Sequence, residues 1–253
     1  MLEHRYGPQV RILNDPWSLT ALARLCAPGP GDLQFHELLS SCYRQLLHAA
    51  CAELPAVELA QPTRMAAGEP RAVLTGPAID PNHAIAVVDI ARGGMIPAHV
   101  VQRELLAICT PEAVRVDHLY MQRVSDAGGH VVGVATAGSK IGGSIEGATL
   151  LIPDPMGATG VSVSEAIALY RALGRPRRIV TLHLIVTPEY LRRLTREPDV
   201  VVYALRVDRG LSAPDVLREV PGARWSEERG LDGHDYIVPG AGGLGELINN
   251  VQV

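Results

Sequence analysis

The sequence predicts an α/β fold: a parallel β-sheet flanked by helices, with an N-terminal helical segment and a C-terminal hood. Three observations lead there. From residue 84 to 207, apolar runs of strand length alternate with segments of helical period, the pattern of strands joined by crossover helices. The connections between them are short, which places helices on both faces of a parallel sheet. Near the end, Tyr236 to Gly243 is too apolar and glycine-rich for a plain surface loop, and its glycines permit close approach of backbone to a flat ligand. The 253 residues, 47% of them hydrophobic, can bury one sizeable core, and 1–253 is read as a single domain.

Residues 1–31 read as a turn-rich extension ending in the breaker cluster Ala27-Pro28-Gly29-Pro30-Gly31. Asp32 is placed to cap a helix whose apolar positions Phe35, Leu38, Leu39, Cys42, Leu46 and Leu47 keep the helical period. Residues 60–82, rich in Pro, Gly and Ala, predict a loop with a short hairpin. Ala84 to Ile90 predicts a buried strand, Arg92-Gly93-Gly94 a loop, and Pro97 to Ile108 a helix with proline in its first turn. Val114 to Tyr120 is the next strand. The Gly-rich stretch to Gly147 carries a strand near Val131 to Val134 and a flexible Ala137-Gly138-Ser139-Lys140 segment. Ala148 to Ile152 predicts a strand, and Ser162-Val163-Ser164-Glu165 a capping box. Val163, Ala166, Ile167, Tyr170 and Leu173 form the buried stripe of the helix it opens, which Gly174 ends. Ile179 to Val186 is a central strand, Glu189 to Arg196 a helix, and Val200 to Val207 a further strand.

Composition removes several classes of function. A formal charge of −4 gives no general attraction to nucleic acid or acidic membranes. No apolar stretch approaches the ~20 residues that span a bilayer, and no signal-peptide core follows Met1-Leu2-Glu3-His4-Arg5, so a cytoplasmic protein is expected. Cys26, Cys42, Cys51 and Cys109 form no Cys-x-x-Cys pair and read as free thiols. The histidines, His183 among them, lack metal-ligand spacing. Arg171, Arg175, Arg177 and Arg178, at a helix end, are expected to complement the helix dipole. Trp17 and Trp225 are too isolated to stack bases.

Leu150 to Ser162 carries the chemistry. An apolar run ends in Asp154, then Pro155, Met156, Gly157, Ala158, Thr159, Gly160, Val161 and Ser162 turn into a helix start. Strand, tight loop and helix N-terminus make an anion site, because unpaired N–H groups and the helix dipole point at the bound group. Thr159 and Ser162 offer hydroxyl donors, and glycines at 157 and 160 permit close approach. Asp154 is placed to hold a ribose hydroxyl or a metal-bound group. No Walker sequence is present, which favours a phosphorylated sugar over a nucleoside triphosphate. Arg92-Gly93-Gly94 and Thr187-Pro188-Glu189 also close strands at their carboxyl ends, where such sheets bind ligands.

These pieces together resemble uracil phosphoribosyltransferase from about residue 32 to 246. Asp154 to Gly160 is similar to that family's phosphoribosyl pyrophosphate loop, and Ile90-Ala91-Arg92-Gly93-Gly94 to its Ile-Leu-Arg-Ala-Gly loop. Pro188-Glu189 and Pro198-Asp199-Val200 fall in the family's order, as does Gly230-Leu231-Asp232 before Tyr236-Ile237-Val238-Pro239-Gly240, its uracil-binding segment. The resemblance implies transfer of ribose 5-phosphate from phosphoribosyl pyrophosphate to uracil, with Mg²⁺, in a homodimer, for which the apolar N-terminal helix is a candidate surface. It implies that Ala158 to Ser162 hold the 5′-phosphate, Asp154 the ribose hydroxyls and Arg92 the pyrophosphate. Tyr236, Ile237, Gly242, Gly243 and Leu244 would form the base-binding hood, with backbone groups of Ile237 and Gly242 on the uracil edge.

The chain departs from the family at informative places. An Asp beside base and donor is Gly243 here, a second arginine falls on Met121 with Arg123 two residues on, and the family's Tyr-Glu is replaced near His48-Ala49. Met121 reads as core. Asp89 stands where the family has Pro and is either a loop cap or a second acid; Lys140 is a candidate lid residue. Residues 209–226, chiefly Ala213 to Ser226, resemble an insertion before the base-binding segment. Two alternatives stay open: transfer to a different heterocyclic base, and a catalytically weak homologue that binds nucleotide as a regulator.

Overall fold

The structure, a computed structural model, describes residues 1–29, 32–125 and 131–249. In chain order it forms β1 (Val10–Ile12), α1 (Pro16–Leu25), α2 (Leu33–Ala50), β2 (Ala56–Pro62), β3 (Val73–Ile79), β4 (Ile85–Ala91), α3 (Met95–Leu106), β5 (Val114–Ser125) and β6 (Val131–Lys140). There follow β7 (Thr149–Pro153), β8 (Met156–Gly157), α4 (Val161–Arg171), β9 (Arg178–Val186), α5 (Pro188–Leu194), β10 (Val200–Val207), α6 (Pro214–Arg218) and α7 (Leu244–Ile248). The main sheet runs β1-β10-β9-β7-β4-β5-β6, with every neighbouring pair parallel except β5–β6.

Strand alternation divides the core into two layers. Leu151, Val180, Leu182, Val201 and Tyr203 face Leu39, Cys42, Tyr43, Leu46 and Leu47 of α2, with α1 and α3 beside them. Ala86, Val88, Leu150, Ile152, Val200 and Val202 face Val163, Ala166, Ile167 and Tyr170 of α4 and Leu191 and Leu194 of α5. Strands buried on both faces need the near-continuous apolar runs that the sequence shows. The chain leaves β4 towards β5 but leaves β7 towards β9, in opposite directions along the sheet. The loops after β4 and β7 therefore diverge, and divergence opens a crevice at the strands' carboxyl ends.

Several expectations are corrected. The stretch 1–31 is not only turns: Val10–Ile12 pairs in parallel with β10 at Val202–Ala204, and Asp15 caps α1 by accepting from Ser18 N–H. Residues 56–79 form a hairpin of seven-residue strands, longer than expected. Ala137 to Lys140 is ordered strand, with Gly138 opposite Tyr120 and Lys140 opposite His118, because edge pairing satisfies the backbone despite the small residues. Leu173 lies outside the buried stripe at 41% exposure, beyond the last turn of α4. Of the four arginines only Arg171 sits in that last turn, and it pairs with Glu197 and Asp199 (both 2.5 Å). Arg177 donates to the Glu53 carbonyl (3.0 Å) and Arg178 pairs with the Glu53 carboxylate (3.4 Å).

The stretch 209–226 packs against the N-terminal extension. Buried Glu228 accepts from Tyr6 Oη (2.5 Å), Arg209 (2.9 Å) and Gly222 N–H (2.8 Å), while Trp225 donates to the Pro188 carbonyl (3.1 Å). Burial, reinforced by Glu228, pushes the Tyr6 pKa well up, so the hydroxyl keeps the proton it donates. Tyr6→Phe is expected to destabilise the fold by about 1.5–3 kcal/mol, the loss of a hydrogen bond to a buried charge. Urea unfolding measures it; a change below about 0.5 kcal/mol would show that the contact carries nothing.

Candidate active site

The crevice is a cleft of about 1260 Å³, walled by Ile90–Gly93, Tyr120–Gln122, Asp154–Met156 and Ala158–Val163, and roofed by Asp235–Pro239 and Ala241–Glu246. Every residue that the sequence assigns to donor or base lines it except Gly157. A Cβ at Gly157 would meet Val186 (2.9 Å) and the Tyr190 ring (3.0 Å), so that glycine serves packing beneath the cleft. The Arg92 loop closes on the Asp154 loop: a Cβ at Gly93 would lie 3.7 Å from Asp154 Oδ1. Gly94, between them, has no room for a side chain, with Ile90 N at 2.8 Å and the Pro153 carbonyl at 3.2 Å.

The loop from Asp154 to Gly160 is pinned from below through its carbonyls. Asp154 O accepts from His183 Nδ1 (2.5 Å), and Pro155 O from Leu184 and Ile185 N–H (3.1 and 3.2 Å). Gly157 O accepts from Thr187 N–H (3.0 Å), Ala158 O from Thr187 Oγ1 (2.6 Å) and Thr159 O from Arg193 Nε (2.9 Å). In a trans peptide the following N–H points the opposite way. Carbonyls drawn down onto β9 and α5 therefore turn the N–H groups of Thr159 and Gly160 up into the cleft. The first turn of α4 adds those of Ser162 and Val163.

The expected capping box is not formed. Gly160, left-handed at φ 78°, caps α4 without a side-chain bond, and Ser162 lies inside the first turn. A cap from the side chain would have consumed N–H groups that could instead serve an anion, and the Thr159 hydroxyl accepts from Val161 N–H (3.4 Å) beside them. Thr187-Pro188-Glu189 does not line the cleft. Thr187 caps α5 by accepting from Tyr190 N–H (3.0 Å) and braces Ala158, while the Glu189 carboxylate accepts from Gly230 N–H (3.1 Å).

The roof is tied to the sheet. Asp208, buried at the end of β10, accepts from Gly240 N–H (2.7 Å), and Val238 exchanges bonds with Gly210 and Gly230. Asp232 N–H bonds the Tyr236 carbonyl (2.9 Å) and Val238 N–H the Gly230 carbonyl (2.8 Å). These flank the Leu231–Ile237 bridge and leave the N–H and C=O of Ile237 outside the ladder. A planar ligand edge could read them.

Sequence reasoning missed Tyr120, Met121 and Gln122. Met121, read as core, packs against the core layer under α4 and also lines the cleft, because β5 runs on to Ser125, past the expected end at Tyr120. Arg123 stands on β5, but its side chain lies outside the described residues, as does His130. Asp89 is buried and bonds His118 Nδ1 (2.7 Å); burial raises its pKa, and it does not line the cleft. Lys140 and residues 209–226 do not line it either. His183 was also missed, and no motif marks it.

The sequence profile of the uracil phosphoribosyltransferase family matches residues 31–223. The uracil phosphoribosyltransferase of Dictyoglomus thermophilum is 26% identical over 240 residues, covering 94% of this chain and 98% of that protein. That of Caldanaerobacter subterraneus subsp. tengcongensis is 24% identical over 240 residues, covering 94% and 96%. The solved AQ2163 protein from Aquifex aeolicus superposes with a TM-score of 0.72 at 19% identity over 96% of this chain and 99% of its own, and so shares the fold. Profile match, parallel sheet and cleft place this chain in the uracil phosphoribosyltransferase family, as a divergent phosphoribosyltransferase enzyme.

Proposed function

We propose that the enzyme transfers ribose 5-phosphate from phosphoribosyl pyrophosphate to uracil, giving UMP and pyrophosphate, in cytoplasmic pyrimidine salvage. The observation that carries this is the loop pinned through its carbonyls, whose outward N–H groups form an anion cradle beneath a glycine-rich roof. Ala158 to Ser162 hold the 5′-phosphate, Asp154 holds the ribose hydroxyls, and Arg92 faces the pyrophosphate. Tyr236, Ile237, Gly242, Gly243 and Leu244 hold the base. The C1–oxygen bond to pyrophosphate breaks with its electron pair leaving on that oxygen, and uracil N1 closes on C1 and gives up its proton. Charge placed in advance, with no covalent nucleophile, accelerates such a step.

Arg92 is the one cationic side chain among the described residues lining the cleft, against Asp154, Asp232, Asp235 and Glu246. Oxygen-rich walls short of cations fit Mg²⁺, which binds through one or two carboxylates plus substrate phosphates and keeps several waters. Asp154, with the donor's own oxygens, would hold it; bound there, it would neutralise the leaving pyrophosphate.

Gly243 and Met121 favour a second reading, a different heterocyclic acceptor. Pyrophosphate release measured over a panel of bases, with and without EDTA, decides. UMP formation that needs the metal supports uracil; a product with another base supports the second reading; nucleotide binding without turnover would overturn both. The φ of −76° at Gly243 admits a side chain. Gly243→Asp is expected to raise kcat/KM on uracil about tenfold or more, recovering part of the ~10²–10³ such a group supplies. No gain in a folded variant would move the limitation to Met121 or the 209–226 stretch.

A homodimer completes the proposal, by a different surface from the one the sequence suggested. The stripe of α2 faces the sheet, whereas the β2–β3 hairpin exposes Val57, Met65, Val73 and Leu74. A two-stranded ribbon is at best marginally stable alone, and a second chain would cover those side chains. Light scattering is expected to give twice 27.1 kDa; a monomer mass would count against it.

A further inference from the structure

We infer that Tyr190 and His183 are positioning residues that hold Asp154 for catalysis by locking one tautomer of the His183 ring. The bond directions follow from chemistry. The Asp154 carbonyl can only accept, so His183 Nδ1, 2.5 Å away, carries a proton. The ring is fully buried, and its two bonded partners are an uncharged carbonyl and a hydroxyl with no carboxylate between them, so it is neutral and Nε2 holds a lone pair. Tyr190 Oη, 2.6 Å from Nε2, must therefore donate.

Without that hydroxyl the lone pair would be buried without a partner. The tautomer protonated at Nε2 would then compete, and it has no proton for Asp154. Asp154 N–H is anchored independently, on the Leu182 carbonyl at 3.0 Å. The ring bond therefore sets the tilt of the Asp154–Pro155 peptide and, through it, the aim of the carboxylate. Tyr190 also lies under Gly157 and Gly160, at 3.0 and 3.2 Å from the Cβ each would carry. A single side chain thus supports both ends of the loop. Phenylalanine would keep that packing and remove the bond to His183 together with the hydroxyl's interaction with Thr181.

The inference rests on Asp154 serving the reaction, so the experiment separates the two. In Tyr190→Phe, ¹⁵N spectra of the histidine ring are expected to show proton density moving from Nδ1 to Nε2. For the activity found in the base panel, kcat is expected to fall about tenfold or more, within the ~10²-fold that small misplacements cost, while KM for the donor changes less than about threefold. The double variant Tyr190→Phe/His183→Gln is expected to be no slower than His183→Gln alone, since both changes break one unit. An unmoved tautomer, an unchanged kcat, or effects that multiply independently would overturn the lock. If Asp154→Asn itself leaves turnover intact, the role of Asp154 fails first, whatever the ring spectra show.

Discussion

Asp154→Asn is expected to lower kcat/KM by about 10²–10³ and to weaken donor binding, with the fold intact. The reason is local. The backbone at Asp154 is fixed by Leu182 and His183, so an asparagine amide occupies the same place as the carboxylate. In the proposed site, what disappears is a negative charge beside the reacting sugar. As the bond to pyrophosphate breaks, C1 gains positive character, and a carboxylate on the ribose hydroxyls favours that charge more in the transition state than in the ground state. Steady-state kinetics and calorimetric titration with phosphoribosyl pyrophosphate read both effects. Donor affinity and turnover equal to the parent's would remove Asp154 from the site.

Gly160→Ala is expected to cost roughly 2–5 kcal/mol of stability and most of the activity. Two costs add. A left-handed residue with a Cβ pays about 1–2 kcal/mol. The new methyl would stand 2.7 Å from Leu194 Cδ2 and 3.1 Å from Arg193 Cδ, an overpacking worth about 1–3 kcal/mol. Arg193 cannot step aside without releasing the Thr159 carbonyl it holds. The cradle would then tilt, and a 1 Å misplacement alone can cost ~10²-fold in rate. Gly147→Ala is the control, for φ there is +70° and nothing lies within 4 Å. It is expected to lose only the first cost. Chemical denaturation of both variants measures the difference, and equal losses would refute the steric part.

The sheet was legible because strands buried on both faces must be apolar throughout, and β4, β7, β9 and β10 lie within a residue of where the runs predict them. The order of loops after those strands made the cleft legible too. Elements whose reasons are not local were lost. A three-residue strand such as β1 has no period to read, and only its pairing with β10 defines it. The Asp15-Pro16 helix start was visible in residue types but hidden by its turn-rich surroundings. Ser162 met the rule for a cap, yet Gly160 takes that place in the left-handed conformation, and Ser162 falls inside the first turn. The bond between Tyr190 and His183 forms only when α5 folds back on β9, which no spacing along the chain announces.

The β1–β10 pairing has a consequence for synthesis. Val10 meets Val202, so a segment made early waits for about 190 further residues before its edge is closed. Long-range closures of this kind come late and slowly. Until then the Val10–Ile12 strip has no partner, and a nascent chain stalled before residue 200 should engage chaperones that the finished enzyme ignores.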